Sequence, residues 1–203
     1  MAELVLAQPR DLPVGPIGRR GMGQWGVGAL IASEAALFGY LLFSYYYVGA
    51  SALPGWLLEP HPAMWPALPN TILLLASSFV AWFGEKGVEK GNRAQALIGL
   101  GGAFVMGAIF AAVQVYEWSI KTYGIGTSSY ASLYFTTTGL HMAHVLAGLI
   151  ILAAMFGWVV WDFFSPRRHI VVSAGILYWH FVDAVWLFVF TTYYLTPYLG
   201  FAR

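Results

Sequence analysis

A small set of residues in this chain could do chemistry from within apolar surroundings: Glu34, Gln114, Glu117, His141, His144, His180 and Asp183. In YWHFVDAVWLFVF, Tyr178 to Phe190, His180 and Asp183 stand one helical turn apart, so the carboxylate can hold or orient the imidazole. His141 and His144 share one helix face at the same i, i+3 spacing, and Glu34 lies in LIASEAALFGY. Gln114 and Glu117 fall in QVYEW, with Lys121 one turn beyond Glu117. An ionisable group at the middle of a bilayer costs roughly 2.5–3.5 kcal/mol even on lenient scales, so each must either be paired or be at work.

Several kinds of work are conceivable for such groups. A proton relay through Glu34, the histidines and Asp183 would make the chain a small transporter or proton channel. A bis-histidine haem takes one ligand from each of two facing helices, which His180 with His141 or His144 would supply. A metal ion needs several convergent ligands, of which His141 and His144 provide at most two at poor spacing. The plain structural reading is that each group hydrogen-bonds inside a helix bundle and fixes its register, with Glu117 and Lys121 near the membrane interface. No serine stands in a nucleophile elbow and no Gly-rich phosphate loop follows a strand, so hydrolase and nucleotide readings have no support. The chain has no cysteine, which removes disulfides, thiolate metal sites and a Cys-bridged dinuclear copper site.

The elements that must position these residues are set by composition. Hydrophobic residues make up 59% of the 203 and charged residues 9%, against about 25% charged in a soluble domain. Net charge is +1 with no basic run, so nucleic acid is excluded as a partner. Apolar runs near 25–48, 68–84, 96–119, 131–160 and 171–195 each approach the ~20 residues that cross a bilayer core. They lack the alternation of an outer-membrane barrel. The fold class is therefore all-α, a bundle of five transmembrane helices over residues 23–203. Residues 1–22 read as a cytoplasmic N-terminal arm rather than a cleaved signal.

Eight of the ten Lys and Arg fall in the arm, in EKGVEKGNR and in SPRRH; only Lys121 and Arg203 fall on the other side. That bias predicts a cytoplasmic N-terminus and an external C-terminus. Small residues recur at every fourth position as Gly28/Ala32/Ala36, Gly99/Ala103/Gly107/Ala111 and Gly139/Ala143/Ala147. Such stripes predict close helix packing on the first, third and fourth spans. The second span reads as the shortest, beginning at Pro69-Asn70-Thr71. No inverted repeat of the transporter type is visible.

The chain resembles subunit III of the haem–copper respiratory oxidases across all five spans. The resemblance is carried by SEAALFGYLLFSYYYVG around Glu34, PNTILLLASS from Pro69, QVYEW from Gln114, YFTTTGLHMAHVLAG from Tyr134 and YWHFVDAVWLFVF from Tyr178. Mitochondrial members look longer by two N-terminal helices, so this form is similar to five-helix bacterial versions. Met142 departs from the glycine often found between the two histidine positions. The resemblance implies a non-redox accessory subunit of a proton-pumping terminal oxidase, multi-pass in the bacterial plasma membrane. It implies direct packing on subunit I, with subunit II, small subunits or a supercomplex nearby, and phospholipid bound between helices. Haem and copper would sit in partner subunits, with no cofactor held by this chain, whose role is to sustain stability and proton uptake. It also implies an interhelical contact between Glu34 and His144. A nitric-oxide-reducing relative, whose accessory subunit would look alike, stays open at this point, as does the donor, cytochrome c or quinol.

Overall fold

The computed structural model describes residues 22–52, 55–57, 62–164 and 169–201. Most of the N-terminal arm, with Arg10, Arg19 and Arg20, lies outside the described residues, as do Arg167, Arg168 and Arg203. Five α-helices follow in order: α1 Met22–Ala50, α2 Met64–Glu89, α3 Arg93–Ser119, α4 Ser129–Val160 and α5 Ile170–Phe190. A π-helical turn, Thr191–Leu195, extends α5. All five are long and apolar enough to cross a membrane, and no strand occurs among the described residues. The chain is an all-helical membrane-spanning bundle.

The helices outrun the apolar segments that signalled them. α2 holds 26 residues and is not the shortest, because EKGVE stays helical to Glu89, where Lys86 pairs with Glu89 at 2.7 Å. Nor does α2 start at Pro69. It starts at Met64, with non-helical backbone at Trp65, and Pro69 sits inside the helix. Pro69 falls within about one turn of that break, where few N–H groups have an intrahelical partner to lose.

Glycine sets the closest approaches. α2 and α3 form a hairpin whose turn uses Gly91 at φ 69° and an Asn92 side chain that accepts from the Gln95 N–H at 3.1 Å. A Cβ on Gly99 would lie 2.3 Å from the Gly84 backbone, and one on Gly87 would lie 2.5 Å from the Ala96 nitrogen. The two backbones therefore touch, as small residues permit in lipid. Trp179 of α5 is fully buried between glycines of two other helices: a Cβ on Gly107 or Gly148 would meet its indole at 2.7 or 2.6 Å.

Of the small-residue stripes, only the one on α3 is buried along its length, at Gly99, Ala103, Gly107 and Ala111. The expectation for α1 is corrected: Gly28, Ala32 and Ala36 are exposed, and a Cβ on Gly28 would meet nothing within 4 Å. α1 docks instead through large residues on another face, with Phe38 and Tyr45 buried. On α4, Gly139 has open space and Ala143 is exposed, while the packing glycine is Gly148, one position off the stripe. Spacing alone does not say which face of a helix meets a neighbour.

One end of the bundle, where α1, α3 and α5 finish, is filled with tyrosine. Tyr45, Tyr130, Tyr134, Tyr193 and Tyr194 are all fully buried there. Their rings meet in edge and tilted contacts, such as Tyr45–Tyr193 at 4.8 Å. Tyr45 and Thr196 hydroxyls lie 2.8 Å apart, and Tyr193 reaches Thr137 at 2.9 Å, which ties α1 and α4 to the chain beyond α5.

Candidate functional site

Most of the ionisable residues within the spans gather in three clusters. The first joins α2 and α5, which run antiparallel. Trp179, Asp183 and Trp186 form the inward stripe of α5, and hydroxyls of α2 answer each of them. The Trp179 indole donates to Ser77 Oγ at 3.0 Å and the Trp186 indole to Thr71 Oγ1 at 2.9 Å. Between them the Ser78 hydroxyl donates to Asp183 Oδ2 and lies 2.8 Å from His180 Nδ1. The expected His180–Asp183 partnership is thus bridged by a serine from another helix. The Ser78 hydroxyl thus stands between the carboxyl and the imidazole and contacts both. Asp183 is 3% exposed, and its Oδ1 has no hydrogen-bond partner among the described residues.

The second cluster lies between α1 and α4. His144 Nε2 stands 3.1 Å from Glu34 Oε2, with the two side chains 14% and 24% exposed. His144 Nδ1 is 2.8 Å from the Leu140 carbonyl, to which it must donate. Its Nε2 therefore faces the Glu34 carboxyl across the α1–α4 contact. Phe38 lies edge-on to the ring, centroids 5.1 Å apart.

His141, one turn earlier on α4, belongs to neither pair. It is buried at 1% exposure and its Nε2 lies 3.1 Å from the Val182 carbonyl of α5. Its ring is enclosed by Trp186 at 4.9 Å, Phe110 at 6.0 Å and Phe38 at 6.4 Å. The shared i, i+3 face is real, yet the two imidazoles serve different neighbours, α5 and α1.

The third cluster is at the tyrosine-rich end. Glu117 Oε1 pairs with Lys121 Nζ at 3.0 Å, with both side chains under 10% exposed. Tyr194 donates to Glu117 Oε2 at 2.8 Å and Tyr134 to Oε1 at 3.3 Å, while the Gln114 amide donates to Tyr194 Oη at 3.4 Å. The ion pair expected near the interface is buried because aromatic rings from α4 and the end of α5 close over it. In the α3–α4 connection, burial pushes the Tyr123 hydroxyl up to about 12, and the Glu117 charge adds to the shift.

Sequence reasoning named the ionisable members but not Ser77, Ser78, Thr71, Tyr134 or Tyr194. The signal for the α2 hydroxyls was present in PNTILLLASS, where Thr71 and Ser78 stand seven apart on one face of an apolar helix.

Comparison with known proteins gives the family. Residues 17–198 match the family model described as cytochrome c oxidase subunit III. A protein of Synechocystis sp. named cytochrome c oxidase subunit 3 is 34% identical over 185 residues, which cover 88% of this chain and 77% of the relative. Proteins of the same name from Drosophila melanogaster and Neurospora crassa are 32% and 30% identical over 84% and 83% of this chain, and over 68% and 65% of their own lengths. With five membrane-crossing helices and the match running through all of them, the chain belongs to the cytochrome c oxidase subunit III family.

Proposed function

We propose that this chain is a non-redox accessory subunit of a haem–copper terminal oxidase. It packs beside the catalytic subunit in a bacterial plasma membrane, with the N-terminus in the cytoplasm, and sustains the stability and proton uptake of the complex. The observation that carries the reading is that the ionisable residues within the spans are taken up in separate contacts between parts of one bundle. Glu34 meets His144, Asp183 meets Ser78, Glu117 meets Lys121 and two tyrosines, and His141 meets a backbone carbonyl. Pairing of this kind stabilises buried polar groups in lipid without requiring that they carry a substrate.

The same pairing argues that haem and copper reside in partner subunits. A haem between His141 and His180 would have to displace the Val182 carbonyl and the packed rings of Trp186 and Phe110 from around His141. A haem between His144 and His180 would likewise have to take His144 from the Leu140 carbonyl and Glu34, so these residues fit a bis-histidine haem poorly. Phospholipid is the expected non-protein ligand, and the exposed Gly28, Ala32 and Ala36 give α1 a smooth face against which acyl chains can lie.

The test is the haem content of the tagged chain purified from its own membranes, before and after partner subunits are stripped by harsher detergent. Haem should accompany the intact complex and leave with the partners. Haem retained on the stripped chain would establish the haem-carrier reading instead. Haem in neither sample would turn attention to a transporter.

A further inference from the structure

The tyrosine-rich end of the bundle holds an unbroken line of oxidisable rings. Counted between ring centroids, Trp186 on the inward stripe of α5 lies 6.1 Å from Tyr194, and Tyr194 lies 6.4 Å from Tyr134. The line continues to Tyr193 at 5.6 Å, Tyr45 at 4.8 Å and Trp56 at 5.3 Å. Tyr130 offers a second route, 6.4 Å from Tyr134 and 5.5 Å from Trp56. Trp186 and all of these tyrosines are buried, whereas Trp56 is half-buried and borders a surface groove with Tyr47, Ser51 and Ser129. The line therefore joins the core to the surface. Bulk alone would be met by phenylalanine, whose ring has no hydroxyl to satisfy inside the protein.

Whether such a line can carry an electron vacancy depends on where a proton can go. A phenol that loses an electron becomes a strong acid, and an apolar interior gives its cation no hydration. The vacancy rests there only if the proton moves to a base in hydrogen-bond contact. Tyr194 donates to Glu117 Oε2 at 2.8 Å and Tyr134 to Oε1 at 3.3 Å, and the two hydroxyls lie 3.2 Å apart. Tyr45 and Tyr193 instead meet the Thr196 and Thr137 hydroxyls and the Leu133 carbonyl, which are weak bases.

The balance then closes. Tyr194 gives one electron to oxidised Trp186 and its proton to the Glu117 carboxylate, leaving a neutral phenoxyl radical and a carboxylic acid. Hydrogen-atom exchange across the 3.2 Å contact passes the vacancy to Tyr134. One electron arriving from Trp56 by way of Tyr45 and Tyr193, or of Tyr130, restores the phenol as the Glu117 proton returns.

We propose that this line is a protective path for oxidising equivalents, with Tyr134, Tyr194 and Glu117 as its resting site and Trp56 as its exit. A hydroxyl radical near the core takes one electron from Trp186 and becomes hydroxide, and an ascorbate-class reductant in water returns one electron at Trp56. The function goes beyond the accessory-subunit reading, because the whole path lies within this chain.

The experiment uses the assembled complex. An azide-bearing amino acid replaces Ser51, which borders the same groove as Trp56, and carries a ruthenium polypyridyl group. A flash in the presence of a sacrificial electron acceptor leaves ruthenium(III), a one-electron oxidant, beside Trp56. A phenoxyl radical should then appear by electron paramagnetic resonance in the labelled complex. Trp56→Phe should remove most of that signal, and so should Tyr134→Phe combined with Tyr194→Phe, although each variant keeps a ring in place. No phenoxyl signal in the labelled wild type, or equal signals in all three complexes, overturns the path. Loss in Trp56→Phe alone overturns the assignment of Tyr134 and Tyr194 as the resting site. Peptide mass spectrometry after turnover with added peroxide reads the protective role without the label. Trp186 should gain oxygen adducts faster in the Trp56→Phe complex, and equal rates in both complexes overturn that role.

Discussion

Glu34 and His144 illustrate how one polar contact ties two helices together. The Leu140 carbonyl holds His144 Nδ1–H at 2.8 Å, which turns Nε2 toward Glu34 at 3.1 Å. Glu34→Gln keeps an amide N–H that can donate to Nε2, whereas Glu34→Ala leaves the imidazole facing lipid alone. Interhelical hydrogen bonds in membranes average about 0.6 kcal/mol and reach about 1.7. Glu34→Ala should therefore weaken α1 docking by about that much and lower subunit retention, bound lipid and turnover lifetime. Glu34→Gln should stay close to wild type. Retention, phosphorus content and activity over repeated turnovers measure the difference; if both variants match wild type on all three, the pair does not hold the bundle.

At the scale of the elements, close backbone contact rather than side-chain bulk sets how the helices meet. Gly99 and Gly84 touch backbone to backbone, and Trp179 is wedged against Gly107 and Gly148. Overpacking such a contact costs typically 1–3 kcal/mol because backbone, unlike a flexible side-chain tip, cannot move aside. Gly99→Leu should thus separate α2 from α3 and lower the thermal midpoint of the purified chain by several degrees. Gly28→Leu, where a side chain would meet nothing, should leave it unchanged. Thermal unfolding in detergent of both variants checks the contrast. An equal effect at the two positions would mean that α1 packs through Gly28 and not through Phe38 and Tyr45.

For the whole molecule, the distribution of basic residues predicts an orientation that labelling can test. Lys86, Lys90 and Arg93 cluster at the end of the bundle opposite the tyrosines, and Arg93 there pairs with Asp162 at 2.9 Å to tie the α2–α3 turn to the end of α4. The positive-inside rule predicts that this end lies in the cytoplasm. Because the chain has no cysteine, a single introduced thiol reports cleanly. Lys90→Cys in whole cells should resist a membrane-impermeant maleimide, and Gly126→Cys, in the α3–α4 connection, should react. The reverse pattern would invert the molecule and put the Glu117–Lys121 cluster on the cytoplasmic side.

Periodicity, charge deficit and length were enough to establish five membrane helices from the amino-acid order, because a hydrocarbon solvent imposes the same requirement on every span. The same solvent marked Glu34, His144, His180 and Asp183, since an ionisable residue in an apolar run is conspicuous wherever the helix turns. Helix ends were less legible: EKGVE is polar yet helical, because Lys86 and Glu89 support one another locally. Partners were decided only in three dimensions. No spacing along the chain announces that Ser78 bridges His180 and Asp183, that His141 and His144 turn to different helices, or that the Gly28 stripe faces outward. Each depends on which helix lies opposite and at what angle, and hydrophobicity, being without direction, leaves that choice to glycine contacts and hydrogen bonds between distant parts of the chain.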